Sequence, residues 1–216
     1  GSIVVKNNTV SSSGVTSNNG RPHAEHNALS KVKDATGSTL YTSLEPCTHQ
    51  GKTPPCTDII IKKKIKNVFF GLEDPDRRTF KKAKKILNAN GIKTKLIRLK
   101  KYNNFYRSYI INKKFKIPFI SAKIAISKDY FTINKNDKWI TNDFSRKITH
   151  LIRSQHDGII STSKSINYDN ALLNCRIEGL NEFKPDLFIV DLNLKLKKNL
   201  LLNKILKKRK TYLITY

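Results

Sequence analysis

The residues His23-Ala24-Glu25, followed by Pro46-Cys47 and then Pro55-Cys56, decide how the rest of this chain is read. They supply one imidazole, two thiols and one carboxylate. An imidazole and two thiolates can hold zinc through three protein ligands and leave the fourth position to water, with Glu25 as a base beside it. A structural zinc site takes four protein ligands. His26 or His49 would then have to supply the fourth, and Glu25 would have no role. The pattern therefore favours a catalytic zinc on His23, Cys47 and Cys56, with Glu25 moving protons. His26 reads as a helix histidine packed beside the site.

The bulk numbers set the frame. A chain of 216 residues is long enough for one large domain or two small ones. No run of about 18 apolar residues is present, so no membrane-spanning helix is expected. No signal peptide is expected from the opening Gly1-Ser2-Ile3-Val4-Val5. Three cysteines do not make a disulfide framework, and a reducing cytoplasm fits them better. Cys175 reads as an inert buried thiol. The net charge of +26 first suggests nucleic acid. The lysines are spread along the chain, however, without exposed aromatics between them in a stacking pattern. Base composition of the coding sequence explains that spread, and no nucleic-acid partner is expected.

Along the chain, strands alternate with helices, which predicts an α/β sandwich. Ile3 to Val5 and Thr9 to Thr16 form a hairpin around Lys6-Asn7-Asn8. A helix opens at His23 and runs to about Val32. Ser38 to Leu44 is a strand that delivers Cys47 at its carboxyl end. Cys56 precedes a helix from Thr57 to Lys64, whose amino end favours a thiolate. Asn67 to Gly71 and Ile92 to Leu99 are strands, with a helix from Arg77 to Asn90 between them that stops at Gly91. Tyr102 to Asn112 is a helix with Phe105, Tyr106, Tyr109 and Ile110 inward. Lys113 to Ile117 reads as a linker, dividing the chain into domains at 1–113 and 114–216. Beyond it, Phe119 to Ser127, Asp157 to Ser161, Asp186 to Asp191 and Thr211 to Thr215 are strands. Asn142 to Ser154 is a helix, Ser161 to Ser165 a polar loop, and Lys195 to Lys210 a solvated helix face or loop.

The H-x-E motif with paired thiols is the pattern of zinc deaminases that act on nucleobases. Here the thiols lie eight residues apart, across Thr48-His49-Gln50-Gly51-Lys52-Thr53-Pro54-Pro55. With Leu44-Glu45-Pro46-Cys47 and Asp74-Pro75-Asp76, this insert resembles the deaminase half of the bifunctional riboflavin biosynthesis deaminase/reductase family. The resemblance implies a cytidine-deaminase-like three-layer α/β/α domain. Its substrate would be the diaminopyrimidinone ribosylamine 5′-phosphate made by ring opening of GTP. His49 and Lys52 would contact that substrate, Lys52 as a point charge for its phosphate. The family's amino-terminal helix and its Asn-Pro loop are absent from the sequence given. A family histidine is replaced by Thr16, so that contact is not carried over.

From Pro118 onward the chain resembles the family's reductase half, which has a dihydrofolate-reductase-like α/β fold and uses NADPH. The resemblance rests on Lys123-Ile124-Ala125-Ile126-Ser127-Lys128-Asp129, Lys138-Trp139-Ile140-Thr141, Leu151-Ile152-Arg153-Ser154 and Asp169-Asn170-Ala171-Leu172-Leu173-Asn174-Cys175-Arg176. It implies that Ile126, Trp139, Ser165 and Asp169 contact the cofactor. Asp137, Arg153, Leu173 and Arg176 would contact the substrate. The family's later Glu-Gly-Gly segment is absent, so a partial reductase domain is expected. The expected partner is a small phosphorylated pyrimidine, with no membrane; a homo-oligomer is left open. Two rival readings are a nucleic-acid or nucleoside deaminase that uses the basic surface, and a zinc-stabilised protein without activity.

Overall fold

The structure is a computed structural model, and it describes residues 1–216 except 19, 99, 133–138, 205, 207 and 208. The chain divides into two compact units, Gly1–Ile120 and Ser121–Tyr216. Among the described residues no helix is long and apolar enough to cross a membrane.

Unit 1 is built on a five-stranded sheet. It contains β1 (Ser2–Lys6), β2 (Thr9–Gly14), β3 (Thr39–Thr42), β4 (Asn67–Phe70) and β5 (Lys93–Leu96), in the order β2-β1-β3-β4-β5. β1 and β2 form the expected hairpin. Asn7 and Asn8 both take positive φ, 49° and 57°, as a tight two-residue turn requires. β3, β4 and β5 run parallel, so their carboxyl ends share one edge. Ligand sites in α/β sheets collect at such an edge. The helices are α1 (Ala24–Leu29), α2 (Cys56–Lys62), α3 (Lys82–Ala89), α4 (Lys100–Phe105) and α5 (Arg107–Phe115). Val4, Ala28, Leu29, Leu40, Ile60, Val68 and Leu87 form the core against the sheet.

Several boundaries differ from those expected. α1 stops at Leu29 because Lys31 and Val32 bond three residues back, to Ala28 and Leu29, which tightens the turn and ends the α-helix. α3 begins at Lys82, since Lys81 is left-handed (φ 58°). The helix expected over Tyr102 to Asn112 is two helices, and Phe105 is 77% exposed where an inward position was expected. Tyr106, Tyr109 and Ile110 are half-buried. The stretch read as a linker is helical through Phe115.

Glu45 explains how α3 is held. Its buried carboxylate accepts the amides of Asp74, Lys81 and Ala83, each at 3.1 Å. A residue at the end of the β3 segment thus caps a helix almost forty residues later. Asp74 in turn accepts the Asp76 amide and the Tyr109 hydroxyl, and Asp76 pairs with Arg78 and Lys113.

Unit 2 carries a three-stranded parallel sheet of β6 (Gly158–Thr162), β7 (Asp186–Val190) and β8 (Thr211–Ile214), in that order. Its helices are α6 (Asp143–Ser154), capped by Asn142, and α7 (Ser163–Asp169), capped by Thr162. The expected strand over Phe119 to Ser127 does not form. Among the described residues no strand pairs with it, and Ile120 and Ile124 are 76% and 70% exposed. The polar loop expected at Ser161 to Ser165 is the end of β6 and the start of α7. The Lys-rich stretch is not wholly solvated: Leu200 and Leu202 join Ile166, Leu187 and Ile189 in the core of this unit.

A Cβ on Gly14 would lie 2.3 Å from the Ala24 carbonyl oxygen and 2.5 Å from the Ala28 nitrogen. Both are backbone atoms of the helix that carries Glu25. Gly14→Ala is expected to destabilise unit 1 by about 3 kcal/mol, read from the urea midpoint. A wild-type midpoint would show that α1 is free to shift. Glu45→Gln keeps the volume but turns an amide N–H towards backbone donors. It is expected to cost about 2 kcal/mol in the same measurement.

Candidate metal centre and active site

Each donor reaches the site by a different route. His23 is the N-cap residue of α1, extended at φ −71° and ψ 163°, so its ring is free of helix packing. Glu25 follows two residues later, in the first turn of α1, and is 6% exposed. Cys47 arrives from the carboxyl end of β3, and Cys56 is the first residue of α2; each is 3% exposed. The amide and hydroxyl of Thr57 both reach the Cys47 carbonyl, at 3.3 and 3.4 Å, and fasten the Cys47 segment to α2. The Cys56 amide donates to the Cys47 sulfur at 3.2 Å.

The ligand atoms of His23, Cys47 and Cys56 lie within 4.8 Å of one another. His23 Nδ1 is 3.4 Å from Cys56 Sγ. Tetrahedral zinc with ordinary bond lengths would place an N and an S ligand about 3.6 Å apart. The donor set and its spacing fit the metal. The two sulfurs titrate as a pair. A hydrogen bond from the Cys56 thiol holds Cys47 towards thiolate, and the same bond, with burial, pushes the Cys56 thiol up. Burial pushes the Glu25 carboxyl above the ordinary carboxylate range, against the lowering effect of its backbone hydrogen bond and of the His23 charge. Both Cys47 and Cys56 feel the Glu25 carboxylate, so it belongs to the same electrostatic cluster.

His26 is exposed and bonds the Ser30 hydroxyl at 3.2 Å, so it is no ligand and does not pack beside the site. His49 bonds Thr79 through Nδ1 at 3.2 Å. Thr79 is fully buried, which leaves His49 Nε2 as the ring's free edge. Lys52 is exposed on the insert. A Cβ on Gly51 would lie 3.0 Å from the Arg21 guanidinium, so the insert passes close to that side chain. Sequence reasoning missed Arg21, Thr53 and Thr79. Only the position of Arg21, two residues before His23, could have drawn attention to it.

In unit 2, Arg153 and Arg176 both meet Asn174, one at its carbonyl (3.2 Å) and one at its side-chain oxygen (2.9 Å). Leu173, left-handed at φ 51°, lies beside them. Arg209, also missed, donates to the carbonyls of Leu172 and Leu173 at 2.7 and 2.8 Å. Burial and the Arg176 charge hold the Arg153 guanidinium below its ordinary range. Asp137 lies outside the described residues. The four expected cofactor contacts are all at least partly exposed. Ile126 is 42% exposed in an unpaired stretch, and Trp139 is half exposed with the Arg146 guanidinium over its ring. Ser165 and Asp169 are exposed on α7. None of the four lines the cleft of about 580 Å³ formed by Ser163, Lys164, Asn167, Tyr168, Asp191 and Lys195, among others. Cys175 is buried, as expected.

Comparison with known proteins places this geometry. Residues 1–72 match the cytidine and deoxycytidylate deaminase zinc-binding region, and residues 118–216 match the RibD C-terminal domain. The riboflavin biosynthesis protein RibD of Buchnera aphidicola is 38% identical over 84% of this chain and 50% of its own length. That of Bacillus amyloliquefaciens is 34% identical over 82% of this chain and 49% of its own length. A crystal structure from Thermotoga maritima superposes with a TM-score of 0.87 at 30% identity, over 99% of this chain and 62% of that one. It is described as a diaminohydroxyphosphoribosylaminopyrimidine deaminase and 5-amino-6-(5-phosphoribosylamino)uracil reductase. The chain spans about half the length of the curated relatives it matches. Its two matched regions, in the order found here, and a fold shared over nearly its whole length mean that the chain belongs to the family of the riboflavin biosynthesis protein RibD.

Proposed function

We propose that unit 1 is a zinc-dependent deaminase of the phosphorylated diaminopyrimidinone of riboflavin synthesis, and that unit 2 belongs to the NADPH-dependent reductase joined to it. The observation that carries the first half is a buried carboxyl, Glu25, in one electrostatic cluster with three converging donor atoms. His23, Cys47 and Cys56 would hold the ion. Zinc so bound supplies a Lewis acid that lowers the pKa of a coordinated water towards about 7.

The protein's own groups do the rest. Burial raises the Glu25 pKa towards the working range, where one carboxyl can take a proton and later give it up. Glu25 takes the proton as oxygen adds to the ring carbon bearing the exocyclic amine. It then hands that proton to the nitrogen, which leaves as ammonia. Thr79 orients His49, whose Nε2 is offered to the substrate, and Lys52 supplies a charge for the phosphate. In unit 2, Arg153 and Arg176 would bind the phosphate of the reductase substrate; both are held by the oxygens of Asn174. The family matches favour neither rival reading, the nucleic-acid deaminase or the inactive zinc-stabilised protein.

Glu25→Gln should keep zinc but release ammonia from the pyrimidine substrate at least about 10²-fold more slowly. Equal rates in the two proteins would remove Glu25 from the proton path, and removal of zinc with a chelator should abolish turnover in the wild type. NADPH is expected to bind this chain only weakly. Submicromolar affinity in a fluorescence titration would show that the expected contacts assemble without further help.

A further inference from the structure

Arg21 holds together the segments that bring in the metal ligands. It lies two residues before His23, on the loop that leads into α1. Its Nη1 donates to Thr53 Oγ1 at 2.9 Å, in the insert between Cys47 and Cys56. The same nitrogen lies 4.0 Å from Cys47 Sγ, a long contact in which the charge of the guanidinium matters more than the hydrogen bond. Its Nη2 faces the space that a side chain at Gly51 would fill, at 3.0 Å. One half-buried cation thus touches the insert and one ligand sulfur directly, and is two peptide bonds from the third ligand.

The electrostatics give this placement a purpose. Two thiolates cancel the charge of a zinc ion, and the Glu25 carboxylate adds a further negative charge beside them. A guanidinium against one sulfur draws electron density from it and offsets that excess. The sulfur already receives the Cys56 amide, so Arg21 is its second N–H donor. We propose that Arg21 is a positioning residue of the metal centre. By this reading it clips the insert through Thr53 and tunes the Cys47 thiolate as a ligand. The inference rests on zinc being held by His23, Cys47 and Cys56.

The test measures metal binding rather than turnover. Zinc affinity is read by competition with a chromophoric chelator, and the sulfur-to-metal charge-transfer band is read after cobalt substitution. Arg21→Gln is expected to weaken zinc binding about tenfold and to move the band to longer wavelength, because the sulfur loses a donor. Arg21→Lys, which restores the charge but not the fork, should recover part of both effects. Thr53→Val should shift both in the same direction by less. Unchanged affinity in Arg21→Gln would overturn the proposal. So would weaker affinity with an unmoved band, since that would reduce Arg21 to a clip on the loop. A wild-type chain that takes up neither metal would overturn the metal centre itself, and this inference with it.

Discussion

Two buried sulfurs beside a buried carboxyl repel one another once their protons leave. The surroundings of Cys47, Cys56 and Glu25 are arranged to make that crowding tolerable. The Cys56 thiol's hydrogen bond holds Cys47 towards thiolate, and the same bond, with burial, pushes the Cys56 thiol up. Backbone donors complete the compensation, with the Cys56 amide on the Cys47 sulfur and the amino end of α2 behind it. A divalent cation replaces the thiol proton and relieves the repulsion more fully. His23 completes the donor set.

Tertiary capping holds that donor set in place. Cys47 follows Glu45 by two residues, and Glu45 is tied by three amides to the start of α3 and the loop before it. Thr48 and His49 continue the link by bonding the Arg78 carbonyl and the Thr79 hydroxyl. The ligand segment is thus fastened on one side to α2 and on the other to the turn at 76–81. The same turn fixes His49, so the orientation of a proposed substrate contact and the position of a ligand share one support. Such shared supports keep an active site within the tolerance that chemistry demands.

Unit 2 is organised differently. Its parallel sheet is covered by Ile166, Leu200 and Leu202, while Ile160, Tyr212 and Leu213 remain open at 71%, 43% and 47%. The arginines around residues 172–176 donate to carbonyl and amide oxygens, while the Arg209 Nε is buried without a hydrogen-bond partner. A cluster of that kind suits an anion.

The convergence of His23, Cys47 and Cys56 beside a buried Glu25 was legible from residue type and spacing, because few other arrangements use His-x-Glu with two thiols flanked by proline. The hairpin at Asn7-Asn8, the strand–helix alternation and the buried Cys175 were legible too, since turn chemistry and periodicity are local properties. Other features needed the fold. The start of α3 depends on Glu45, distant along the chain, and no local signal marks a tertiary cap. Phe105 looked inward by its period, but the helix breaks beside it. Phe119 to Ser127 has the composition of a strand and no pairing partner among the described residues, and a strand exists only through its neighbour's hydrogen bonds. Arg21 reads as one of 42 basic residues until folding lays it against Thr53 and Cys47. Residue chemistry named the metal centre; only three-dimensional contact decided what surrounds and steadies it, because electrostatic support acts through space and leaves no period in the sequence.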